Sequence, residues 1–120
     1  FQKTEDSVYA ACFLKTKNKW LVALKNGHLS TLQSDEKANL MVPLHNFGIY
    51  GLDSFLEESL LVSASRDKSL KISALQDLEV KQKIAVKENG HSRSVNGLLK
   101  LSESSLISFG DDGVLKHWTF

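Results

Sequence analysis

His91 to Trp118 reads HSRSVNGLLKLSESSLISFGDDGVLKHW, and its internal order decides the fold. A His precedes a strand-like stretch, a second strand ends in Ser-Phe-Gly-Asp-Asp-Gly, and a third closes on Trp118. A close copy runs from His45 to Ser73, HNFGIYGLDSFLEESLLVSASRDKSLKIS. Repetition at this spacing identifies an array of small β-sheets.

Laying the copies over one another gives a third, N-terminal one. Val8, Ile49 and Val95 open equivalent strands at separations of 41 and 46 residues. Asn26, Asp67 and Asp112 take equivalent turns, separated by 41 and 45. The one-residue difference falls in the loop after the first strand of the last copy. Periods of about 40–45 residues with four short strands per unit are those of propeller blades. Leucine-rich repeats are shorter, and helical repeats would show a 3.6-residue period. Here apolar positions alternate instead, as in Leu70 and Ile72.

The pattern predicts strands near 8–14, 19–25, 28–33 and 39–43, then 48–55, 59–65, 69–74 and 79–86, and finally 94–101, 105–110 and 114–120. Lys25-Asn26-Gly27, Arg66-Asp67-Lys68 and Asp111-Asp112-Gly113 have the chemistry of short hairpin turns. Pro43, the only proline, falls in an outermost strand, where a missing backbone donor is tolerated. The expected fold is therefore all-β: three antiparallel propeller blades at about 4–44, 45–90 and 91–120. They would form one partial β-propeller domain or half-ring, four-stranded except that the last blade lacks its outer strand.

These residues resemble the WD-repeat family of β-propellers, over essentially the whole chain and most clearly in the last two repeats. In that family a buried hydrogen-bonded set holds each blade: a His before the first strand, a Ser or Thr on the second, an Asp in the next turn and a Trp on the third. The last repeat matches with His91, Ser108, Asp112 and Trp118. The middle repeat matches with His45, Ser63 and Asp67, but Ser73 stands where Trp belongs. The first repeat departs everywhere, with Thr4, Val22, Asn26 and Leu32 in the four places. The resemblance implies a protein-binding scaffold without cofactor, metal or catalysis of its own.

Composition agrees with a folded domain. The 120 residues are 42% hydrophobic and 24% charged, with a net charge of +1. Opposite charges nearly cancel, so no general field draws nucleic acid or an anionic membrane. Lys15, Lys17 and Lys19 cluster in what reads as a solvated loop. Cys12 is the only cysteine, in the apolar run VYAACFL, and is expected to be buried and inert. A lone thiol suits a reducing compartment, and FQKTEDS at the start has no apolar signal core, so the expected location is cytoplasmic.

Three blades do not easily close a ring, because closed propellers use at least about 4. An open stack would expose the apolar sides of both end blades. Two arrangements meet this need. The chain is part of a longer propeller, which a start at Phe1 in mid-strand favours, or it is a half-ring that pairs with itself to give six blades.

Residues with chemical potential mostly have structural duties. His45 and His91 belong to the hydrogen-bonded sets, where losing one strands buried polar groups at about 1–3 kcal/mol each. Ser108, His91 and Asp112 have the residue types of a hydrolase triad, but in the arrangement the resemblance implies Trp118 caps them and leaves the Ser no substrate face. His28 and His117 lack partners at metal-ligand spacing. Trp20 aligns with Leu61 and Leu106 and is expected to pack in the core. Asp53 aligns with Cys12 and Leu99, so no acid–base pair assembles there. Gly48 and Gly51 precede no helix, and no phosphate loop results.

What remains is surface. By resemblance, partners bind the rim formed by the loops entering first strands and the turns between second and third strands. The partner-binding candidates there are Phe47, Tyr50, Arg66, Arg93, Asn96 and Asp111. Aromatic and Arg side chains dominate binding hot spots, which singles out Phe47 and Tyr50 flanked by Arg66 and Arg93. The competing reading is that Phe47 packs beneath its own loop.

Overall fold

The computed structural model describes residues 3–33 and 41–120. Strands β1 (Val8–Leu14), β2 (Lys19–Leu24), β3 (His28–Gln33) and β4 (Met41–Pro43) form a first antiparallel sheet in chain order. A second sheet follows the same plan with β5 (Ile49–Phe55), β6 (Leu60–Ser65), β7 (Leu70–Ala74) and β8 (Val80–Ile84). After a single 3-10 turn at Val86–Glu88 comes a third sheet of β9 (Val95–Ser102), β10 (Ser105–Gly110) and β11 (Leu115–Thr119). The strand ends lie within about two residues of the expected ones, the ordinary uncertainty of a boundary. The outer strand expected at 39–43 begins in residues outside the described ones; its Met41–Pro43 part pairs with β3, Pro43 opposite His28.

Each sheet lays one face on its neighbour. The first strands meet across the stack, β1 against β5 and β5 against β9. Side chains alternate across a strand, so each sheet supplies two faces. Cys12, Leu14, Leu21, Ala23 and Leu29 of the first sheet close on Ile49, Leu52 and Leu61 of the second. Phe55, Val62, Ala64 and Leu70 of the second close on Val95 and Leu106 of the third, with Leu98 and Trp118 packed against them.

Trp20 corrects an expectation. It does take the register position of Leu61, since both sit one residue into the second strand of their sheets. Yet Leu61 is 1% exposed and Trp20 is 48% exposed, its ring 5.0 Å from that of Phe13. Leu61 looks back onto the first sheet, whereas the same face of the first sheet has no sheet before it among the described residues. The alignment located the side chain correctly, but among the described residues no sheet covers it.

The turns between second and third strands repeat one construction. Asn26, Asp67 and Asp112 each accept, through Oδ1, the N–H of the residue two further on: His28 at 3.0 Å, Ser69 at 3.0 Å and Val114 at 3.2 Å. This side-chain turn suits Asn and Asp specifically. The residue between takes a positive φ in every sheet, +88° at Gly27, 74° at Lys68 and 72° at Gly113. At Gly27 a Cβ would collide with the His45 carbonyl, because Gly27 O accepts the N–H groups of Leu44 and His45. Only glycine lets the first sheet approach the loop that carries His45 so closely.

Candidate functional site

The rim of the stack is built on three polar supports. In the third sheet His91 Nδ1 lies 2.9 Å from Asp112 Oδ2, and His91 Nε2 lies 2.8 Å from Ser108 Oγ. Trp118 donates its indole N–H to the same Ser108 Oγ at 2.8 Å. Asp112 also accepts the N–H of Ser92 at 3.1 Å. One carboxylate thereby ties the loop entering β9 to the β10–β11 turn. Burial raises the Asp112 pKa, but the His91 bond and the N–H groups of Ser92 and Val114 outweigh it and leave it lowered.

The second sheet repeats the support without the indole. His45 Nδ1 lies 2.6 Å from Asp67 Oδ2 and Nε2 2.8 Å from Ser63 Oγ. Burial lowers the His45 pKa against the pull of Asp67, so the ring is neutral: Nδ1–H donates to the carboxylate and Nε2 accepts from Ser63. Burial works against the Asp67 carboxylate too, but its bonds to His45 and Ser69 bring it down to about 2. Ser73, opposite Leu61, occupies the place of the indole-bearing residue, and its buried hydroxyl meets no partner among the described residues.

The first sheet replaces the support with an exposed one. Glu5 Oε1 accepts from Asn26 Nδ2 at 2.9 Å and lies 2.8 Å from His28 Nδ1. Thr4, the residue aligned with His45 and His91, instead donates its hydroxyl to the Asp6 carbonyl at 2.7 Å. Sequence reasoning passed over Glu5 and weighed His28 only as a metal ligand. The available signal was the pair Asn26 and His28, two residues apart on one side of the turn, with an acid just before β1.

These supports hold three equivalent rim positions. Lys25 donates its N–H to Ser7 O, Arg66 to Gly48 O and Asp111 to Ser94 O, at 2.9, 3.0 and 3.0 Å. On that frame Phe47 is 54% exposed and does not pack beneath its loop. The Arg66 guanidinium carbon stands 5.9 Å from the centre of the Phe47 ring, within cation–π reach. Tyr50 stacks on its equivalent Tyr9, ring centres 5.4 Å apart, across the junction of the first two sheets. Asn96, the third equivalent, donates Nδ2 to Asp111 Oδ1 at 2.6 Å. Arg93 is exposed. The structure thus joins Phe47 with Arg66 and Asn96 with Asp111, while Tyr50 finds Tyr9, which was not among the six candidates.

Toward the middle of the first strands the equivalent positions hold a thiol, a carboxylate and an alkyl chain. Cys12 Sγ lies 3.9 Å from Asp53 Oδ1, and burial together with that charge pushes the Cys12 thiol up. The thiol is accordingly protonated at neutral pH. Leu99 completes the row.

No family model matches the chain, and no curated protein matches it. Among solved structures it is similar to the structure of U3-55K, with a TM-score of 0.84 at 17% identity, and to the crystal structure of RRP9 WD40 repeats, with a TM-score of 0.84 at 18% identity. Each match covers 98% of this chain and 37% of the other. The chain therefore spans little more than a third of the structures it matches. Sheets of four, four and three antiparallel strands, joined in this order, have the fold of part of a WD40-repeat β-propeller.

Proposed function

We propose that the chain is a non-catalytic segment of a larger propeller and serves as a protein-binding scaffold. The observation that carries this reading is the exposed Phe47 ring under Arg66, fixed on a rim whose turns are tied down by buried His–Ser–Asp supports. A side chain already ordered before binding loses less entropy when a partner arrives. Phe47, Tyr50, Arg66 and Arg93, with the Asn96–Asp111 pair alongside, form the proposed contact surface. The cytoplasm is the proposed location, consistent with the single reduced Cys12.

The test places a photo-crosslinking residue at Phe47, and another at Glu58 on the opposite rim, and identifies what each captures. A protein captured at Phe47 alone, whose affinity falls at least about tenfold when Phe47, Arg66 and Arg93 are replaced by Ala together, supports the reading. Unchanged affinity with the fold intact defeats it.

A second reading rests on the end faces. Phe13 and Trp20 at one end, and Leu99, Leu101, Phe109 and Leu115 at the other, are exposed. A half-ring that dimerises into six blades would bury both. Light scattering across a dilution series decides, because a persistent species near twice 13.4 kDa is that dimer.

A further inference from the structure

The two sheet-to-sheet junctions share a polar contact at the rim opposite Phe47. Glu58, in the turn between β5 and β6, accepts the backbone N–H groups of Lys15 and Thr16 at 2.9 and 3.2 Å, and the Thr16 hydroxyl at 2.5 Å. Glu103, in the turn between β9 and β10, accepts the N–H of Glu57 at 2.8 Å. The Leu56 N–H donates to the Glu103 carbonyl at 2.8 Å beside it. Each glutamate stands two residues before the second strand of its sheet and reaches back to the equivalent turn of the sheet before. A carboxylate over turn N–H groups is a charge-assisted contact with a fixed direction along the stack.

The far face of the third sheet is prepared for a third such junction. In register, Leu29, Leu70 and Leu115 are equivalent, each facing the following sheet. The first two are 0% and 1% exposed, and Leu115 is 72% exposed. Leu99, Leu101 and Phe109 extend the same exposed face. At its rim the Glu103 N–H has no acceptor among the described residues. Apolar face and free turn donor lie where Leu29 and the Thr16 N–H lie at the first junction.

The first sheet of a second copy does not supply the carboxylate that both junctions use. Two residues before its second strand stands Lys17, and the turn around it, Lys15-Thr16-Lys17-Asn18, holds two cations and no acid. Lys17 already points toward the second sheet, its Nζ 3.4 Å from the Leu75 carbonyl. An ammonium is a donor only and has nothing to accept an N–H with.

We infer that the Leu99–Leu115 face is covered by a further propeller blade carrying an Asp or Glu two residues before its second strand, and not by the first sheet of another copy. This rests on reading the chain as part of a ring, and not on the Phe47 rim. The experiment compares the whole chain with Lys17→Glu, Lys17→Asp and Lys17→Ala, by light scattering and by hydrogen exchange of the Glu103 amide. Lys17 lies in an exposed turn, and far-UV spectra matching wild type confirm that the variants fold. The expected result is no discrete wild-type or Lys17→Ala dimer, with the acidic variants associating at least about tenfold more tightly and protecting the Glu103 amide. A wild-type dimer with that amide protected overturns the inference, as do acidic variants indistinguishable from Lys17→Ala. Neither outcome touches binding at Phe47, which the rim variants measure separately.

Discussion

Trp118 and Ser73 hold the same place in successive sheets, and among the described residues only Trp118 has a partner. Its indole bonds Ser108 Oγ at 2.8 Å, while the Ser73 hydroxyl is buried at 1% exposure and unpaired among the described residues. A buried hydroxyl without a hydrogen bond costs about 1–3 kcal/mol. Ser73→Ala is therefore expected to leave stability unchanged or raise it by up to about 1 kcal/mol, read from urea midpoints. Ser73→Trp, attractive from the motif alone, is expected to destabilise by about 1–3 kcal/mol, because the site is already packed against the first sheet.

Ser108→Ala removes the acceptor of the Trp118 N–H and the partner of His91 Nε2 together. Its cost is expected to be about 2–4 kcal/mol, against about 1–3 for Ser63→Ala, where no indole is involved. Paired urea melts give the comparison. Equal costs would mean that the indole bond contributes nothing.

Acid is expected to weaken the second sheet in two stages. His45 has a folded pKa below its ordinary 6.5, so its contribution is full above 6.5 and declines as pH falls through the lowered value. Asp67 goes from an ordinary 3.8 to about 2 on folding, so its contribution is present above 3.8 and is lost as pH falls toward about 2. After allowance for solvent screening the Asp67 part is on the order of 1–2 kcal/mol. Glu5, Glu58, Glu103 and Asp112, all lowered, add to the acid limb. A pH series of urea melts on wild type and His45→Gln checks the first stage, which the variant should lack.

Glu58→Ala is expected to speed exchange of the Lys15 and Thr16 amides selectively, leaving amides in the middle of β2 and β6 unchanged. Both N–H groups lie in a turn and have the Glu58 carboxylate as acceptor. Exchange measured residue by residue separates this from a general loss of stability, which would accelerate all three sheets.

The first sheet is expected to open most readily. Its tie, Glu5 with Asn26 and His28, is exposed, where the corresponding ties of the other sheets are buried. Faster hydrogen exchange across residues 8–33 than across 94–118 is the expected result, and the reverse order would contradict it.

The placement of strands and turns was legible because its signals are local. Alternating apolar residues, and Asn or Asp two residues before a third strand, act through neighbours in the chain. The pairing of His91 with Asp112 and Ser108 was legible only through the resemblance to WD repeats: these residues are about twenty apart and say nothing singly. Where the motif failed, in the first sheet, so did the reading. Thr4 aligned with His45, but Glu5 is one atom longer than Asp and reaches Asn26 from the adjacent position. Trp20 failed differently, since burial at its position depends on a neighbouring sheet, and none lies on that face among the described residues.

The sequence by itself determined the all-β repeat architecture and the strand order, while its resemblance to WD repeats implied the buried His–Ser–Asp supports of the second and third sheets. Backbone pleat and side-chain turns turn local spacing directly into geometry. Only the tertiary structure decided that Phe47 stands out under Arg66, that Tyr9 meets Tyr50, and that Glu58 and Glu103 clasp the turns of the preceding sheet. Those contacts join residues more than forty apart on separate sheets, apart from the nearer Phe47–Arg66 pair. They exist because the stacking of one sheet on the next sets their distance, which no local signal encodes.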